Sequence, residues 1–154
     1  MANKNFFQPR RMESQELVSK LFTVIASVEL LDGALVTLGD FTTDPVYAGL
    51  YGVNAPKDFN TRAAALTTAG AVGVAVIDLP TVATKTGQDN TIRDGYNTIG
   101  LTAKAGIPVR ARKLVVDDVF SIGSENATAA LTVGQFATVG ASGKFAPATT
   151  APEA

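Results

Sequence analysis

Apolar and polar positions alternate along much of this chain with the period of two that marks strands. Leu21–Leu31 is the clearest run: Phe22, Val24, Ala26, Val28 and Leu30 share one face, with Thr23, Ser27 and Glu29 opposite beside Ile25. Asp32–Gly33 is a tight-turn signal and Ala34–Leu38 resumes the strand pattern, so Leu21–Leu38 is predicted to be a β-hairpin. Gly39–Asp44 and Pro45 read as a loop. Val46–Val53 sets Tyr47 and Tyr51 on one face and Val46, Ala48 and Leu50 on the other.

Asn54–Arg62 reads as a polar loop around Pro56, and the Ala-rich run after it is compatible with a turn of helix. Ala71–Ile77 has small apolar residues on both faces, the pattern of a buried strand, with Gly70–Gly73 read as close backbone packing. Pro80–Gly95 is a Thr-rich polar excursion, and Tyr96–Leu101 a short strand. Gly106–Ile122 then holds two β-rich runs, Val109–Val116 and Val119–Ile122, hinged as a hairpin on Asp117–Asp118. Ser124–Ala130 is a loop whose Asn126–Ala127–Thr128 matches a glycosylation sequon, discounted because no secretory signal is visible. Leu131–Val139 and Lys144–Ala146 flank Gly140–Gly143 as a last hairpin.

The fold class these elements imply is mostly β: a small β-barrel or β-sandwich of short hairpins with an N-terminal extended arm. Residues 1–20 form the arm, 21–146 the β domain and 147–154 a disordered Ala/Thr/Pro tail. Pro9 discourages regular structure in the arm, although Met12–Leu21 also suits a short helix.

Composition narrows the chemistry. The 154 residues carry no Cys and no His, which removes thiolate nucleophiles, disulfides, and the commonest general base and metal ligand. Charged residues make up 18% and the net charge is −1, so no global field draws the chain to nucleic acid or an anionic membrane. The apolar run Ala63–Ile77 is too short to cross a bilayer and is broken by Thr and Gly, so a soluble chain is expected.

No residue set reads as catalytic, cofactor-binding or metal-binding. Asp117 and Asp118 are adjacent, whereas acid–base pairs converge from opposite sides of a substrate. Asp32, Asp40 and Asp44 lack the compact spacing of a calcium loop and fit turns better. The serines have no His partner. The polar residues that stand out are arginines: Arg110 and Arg112 on one strand face, and Arg10 and Arg11 in the arm. Arg110 and Arg112 suit either a solvated face with cross-strand carboxylates or planar pairing with an acidic protein surface, while the arm reads either as a solvated terminus or as a segment that docks on a partner. Tyr47 and Tyr51 leave open a carbohydrate- or receptor-binding β-module of a fibre or surface layer.

Three pieces in order, Leu31–Gly39, Gly106–Ile122 and Val133–Phe145, resemble the small head proteins that decorate or cement the capsids of tailed bacteriophages. The middle piece matches on Val109, Arg110, Leu114, Asp118 and Phe120, with Asp117 standing where Gly is usual. The resemblance implies a non-enzymatic structural protein with no cofactor, made in the host cytoplasm and placed on the capsid exterior of the virion. Its implied partners are the major capsid protein and neighbouring copies of itself, with no nucleic acid and no membrane. The arm would then reach across neighbouring subunits.

Overall fold

The structure, a computed structural model, describes residues 7–13, 20–43, 57–79, 96–97 and 102–151. Among them the chain is mostly β, and five strands close on themselves. They are β2 (Leu21–Ala26), β4 (Leu35–Thr43), β5 (Lys57–Leu66), β6 (Val74–Ile77) and β9 (Val109–Arg112). Pairing runs β2-β5-β4-β6-β9 and returns to β2, with β2 and β5 parallel and every other pair antiparallel. A ring of so few strands leaves a narrow interior, which small side chains must fill. Val24, Ala26, Val36, Ala75, Ile77, Val109 and Ala111 fill it. That is a physical reason for an Ala- and Val-rich sequence.

The alternate residues of β4 and β6 face outward into a second apolar layer. Leu35 and Val76 are buried there beneath two ribbons that lie outside the ring. One ribbon pairs β1 (Phe7–Arg11) with β10 (Val119–Ile122), and the other pairs β11 (Phe136–Val139) with β12 (Phe145–Ala148). Phe7, Phe120 and Phe145 join the two, with ring centroids 5.2 and 6.0 Å apart in tilted geometry. Covered on both faces, Val74–Ile77 reads as a continuous apolar run. A small sheet of β3 (Leu30–Leu31), β8 (Thr102–Ala103) and β7 (Tyr96–Asn97) stands beside the barrel.

Several expectations are corrected. Leu21–Leu38 is not a hairpin. The Asp32–Gly33 turn forms, with Gly33 at φ 78°, but the strand pattern breaks at Ser27–Glu29, and β2 pairs with β5 and β9. Val28, assigned to the buried face, is exposed. Gly39–Asp40 is a register shift within β4, not a loop, and Asn54–Arg62 and the Ala-rich run overlap the strand β5. Gly70 and Gly73 supply positive φ in the open β5–β6 connection, with no atom crowding them. Val109–Arg112 and Val119–Ile122 do not pair with each other; the turn between them forms, but β9 closes the barrel and β10 pairs with β1.

Both ends of the chain enter the structure further than expected. Phe7 and Met12 of the supposed arm are buried, because the outer layer needs an apolar cover that β10 alone does not provide. Pro147 and Ala148 of the supposed tail complete β12. Val46–Val53, with Tyr47 and Tyr51, the Met12–Leu21 helix alternative over residues 14–19, and Pro80–Gly95 lie outside the described residues.

Gly143 fastens the last hairpin to the barrel. Its φ is +71°, its carbonyl accepts the Leu35 N–H at 2.7 Å, and its N–H donates to Thr67 O at 3.2 Å. A Cβ there would stand 2.8 Å from Leu35 O. Gly143→Ala is therefore expected to lower stability by about 1–3 kcal/mol, read as the shift in denaturant midpoint. Phe7→Ala is expected to cost about 3 kcal/mol by the same measurement, as a buried aromatic is replaced by a void. An unchanged midpoint for Phe7→Ala would mean that the first strand is not seated on the barrel in solution.

Candidate functional site

The ionisable groups with the most defined surroundings lie at the end of the barrel where β6 gives way to Asp78 and Leu79. Asp32 sits in the turn between β3 and β4 and is almost wholly buried. Its Oδ2 accepts the Phe7 N–H at 2.8 Å, and its Oδ1 accepts the Leu79 N–H at 2.9 Å. Its main-chain oxygen accepts the Asn126 Nδ2–H at 2.8 Å, from a short 3-10 turn at Ser124–Asn126. One residue thus ties β1, the end of β6 and that turn to the start of β4.

Asp78, also buried, faces β9. Its Oδ2 lies 2.7 Å from Arg112 Nε and 3.0 Å from Arg110 Nη2. The two arginines do share a strand face, as expected, and a carboxylate from the neighbouring strand clamps them. They differ in exposure, however. The Arg110 side chain is 49% exposed and that of Arg112 only 4%, which leaves Arg112 closed to an outside partner. Arg112 Nη1 and Asn126 Oδ1 are buried without a hydrogen-bond partner among the described residues.

Burial pushes the Asp32 carboxyl from the ordinary 3.8 up to about 6. The N–H donors of Leu79, Phe7 and Gly33 oppose the shift, and the charge of Asp78 adds to it.

Arg10 and Arg11 are exposed on β1. Arg10 Nε donates to Ser121 Oγ at 3.3 Å, across to β10. Arg11 Nη2 donates to Asp117 O at 3.3 Å, in the turn where Asp117 takes φ 73°, and its guanidinium lies 3.8 Å from Glu13 and 4.0 Å from Asp117. Asp118 closes the same turn by accepting the Val115 N–H on Oδ2 at 3.0 Å. Asp117 and Asp118 thus serve a turn. No hydrogen bond or ion pair joins the Arg10–Arg11 pair to the Arg110–Arg112 pair among the described residues.

Two concavities are formed by the described residues. One of about 590 Å³ opens between Ile122–Ser124 and Ala127–Leu131. The other, about 250 Å³, is an apolar groove between β6, Leu114 and the last hairpin. Neither is lined by an ionisable side chain. Among the described residues no three carboxylates gather as a metal site; Asp40 is exposed and Asp44 lies outside them. The sequon residue Asn126 is buried and its amide is engaged, so the folded chain does not present it for glycosylation.

Sequence reasoning treated Asp32 as a turn residue and gave Asp78 no role. The signal was present for Asp78: a carboxylate directly after the continuous apolar run Val74–Ile77 is placed where burial demands a cation. Nothing local distinguishes Asp32 from a solvated turn aspartate, since its partners are 25 and 47 residues away.

No family model, curated protein or solved structure matches this chain.

The raised Asp32 pKa fixes the sign of a pH effect. A proton bound more tightly in the folded state stabilises fully below the unfolded value near 3.8 and is lost as pH rises through about 6. Relative to Asp32→Asn, the unaltered protein is expected to gain about 2 kcal/mol between pH 7 and pH 4. Denaturant melts of both proteins across that range check it, and parallel curves would exclude a raised pKa.

Proposed function

We propose that this chain is a non-enzymatic structural protein that binds the outer surface of an assembled phage capsid and reinforces it. The resemblance of Leu31–Gly39, Gly106–Ile122 and Val133–Phe145 to capsid-decorating proteins motivates the reading. The observation that carries it is the division of labour among side chains. The buried carboxylates Asp32 and Asp78 are engaged by main-chain N–H groups and arginines of the fold itself, and neither concavity among the described residues is lined by an ionisable side chain. Such a chain is better suited to presenting a surface than to turning over a substrate.

The energetics suit the role. A protein that binds only the assembled lattice stabilises it by mass action, by about 2.7 kcal/mol at a hundredfold excess over Kd. Summed over many sites, contacts of moderate strength suffice. Arg10, Arg11 and Arg110, exposed on β1 and β9, are the cations placed to meet an acidic lattice surface. Arg112 is withdrawn from that set by its burial.

The test is fractionation of native particles on a density gradient. The chain is expected to co-sediment with assembled heads at fixed stoichiometry and to be absent from free capsid subunits. Alanine at Arg10, Arg11 or Arg110 is expected to weaken head binding by about 1 kcal/mol each, as for charges at a solvated rim. A chain found only in the soluble fraction would end this reading.

A further inference from the structure

Among the described residues the last hairpin leaves one strand edge open, and its geometry specifies what pairs there. Pro147 of β12 stands opposite Ala137 of β11 and has no N–H to give, so these two form a non-hydrogen-bonded pair. Gly140 donates to Lys144 O at 2.8 Å, which sets the same phase at the turn end. Ala137 and Val139 therefore aim their N–H and C=O groups away from β12. No backbone hydrogen bond or strand engages them on that side among the described residues.

The two edges of this ribbon are treated differently. On β12, Phe145 O accepts the Thr128 N–H at 2.8 Å and Pro147 removes a donor, so that side is blocked. On β11 no proline, charge or bulge does so. The chain on either side of the open edge is equally bare. No charged residue occurs between Glu125 and Lys144, and Leu131, Val133 and Phe136 are exposed, Val133 fully. The Thr132–Gln135 turn before β11 is held by its own bonds, Gln135 Oε1 accepting from Thr132 N at 3.2 Å and Thr132 Oγ1 at 3.0 Å.

We infer that β11 pairs edge to edge with β11 of a second copy of this chain, antiparallel across a two-fold axis. Two features select a copy of itself. An uncharged surface meets its own image without placing like charges together. The open groups are also self-complementary: Ala137 faces Val139 of the partner copy and Val139 faces its Ala137, so every outward N–H and C=O of the edge finds a partner. That register sets Thr138 against its own counterpart on the axis, in the close pair where side chains touch. The inference rests on the reading of a lattice-bound surface protein for its setting, and it names the contact by which neighbouring copies join.

The experiment is sedimentation velocity of the purified full chain over a range of concentrations, with no capsid present. The unaltered protein is expected to move from monomer to dimer. Thr138→Lys and Thr138→Glu, each alone, are expected to weaken the dimer about fivefold or more, because like charges then meet on the axis. Mixed together, they are expected to associate more tightly than either alone. Ala137→Pro, which removes an outward N–H that β12 does not use, is expected to abolish pairing while thermal melting stays cooperative. A protein that remains monomeric at its highest soluble concentration overturns the inference. So does a dimer indifferent to charge at Thr138, or a mixture no tighter than its components. Because capsids are absent, a dimer that never binds heads would refute the proposed function and leave this contact standing; head binding by a strict monomer would do the reverse.

Discussion

The buried carboxylate of Asp32 is the interaction on which the arrangement of this fold depends. β1 touches the barrel through side chains, but its first residue is positioned by a backbone N–H bonded to Asp32. The chain leaving β6 is positioned in the same way, through Leu79. Each of those N–H groups is buried and would cost about 1–3 kcal/mol if left without an acceptor. A carboxylate offers two oxygens diverging from one carbon and so satisfies donors from two segments at once. An amide in its place would turn one of those positions into a donor facing a donor. The cost is a partly uncompensated charge, which its raised pKa expresses.

Around that tie the fold solves a packing problem set by strand number. A five-stranded ring has too little interior to bury a large core, so much of its apolar burial comes from outside the wall. Val74 and Val76 on the outer face of β6 are as much a part of the protein's stability as Ala75 and Ile77 within. The two ribbons exist to cover that outer face, and Phe7, Phe120 and Phe145 are the large side chains that do so. Trimming either ribbon would leave Leu35 and Val76 facing water.

This arrangement explains which features could be read from the chain beforehand. Period-two alternation identified β2, small apolar residues on both faces identified β6, and the Gly140–Gly143 turn marked the β11–β12 hairpin, because each of these signals is local. The mostly β class followed from the same alternation. Pairing was legible only where a short turn enforces it. Asp32–Gly33 and Asp117–Asp118 both form turns, yet the strands on either side diverge to different sheets, since ring closure rewards distant partners over adjacent ones. Gly39–Asp40 looked like a loop because a bulge and a loop use the same residues. Of the candidate site, the shared face of Arg110 and Arg112 was legible from spacing. The burial of Arg112 was not, because it depends on Asp78 arriving from another strand.

Perturbed ionisable groups commonly mark functional sites, and Asp32 is such a group. Its surroundings argue for a different role here. Asp32 lines neither concavity formed by the described residues, and its oxygens are engaged by main-chain donors. The exposed extreme of the molecule shows the complementary pattern. From Ala129 to Thr138 the residues are exposed and uncharged, including Leu131, Val133 and Phe136. Asp32 and Asp78 are thus held inside by the fold, while the uncharged stretch from Ala129 to Thr138 faces outward. A surface of that kind gains free energy by being covered, at roughly 25 cal/mol for each Å² of apolar area removed from water.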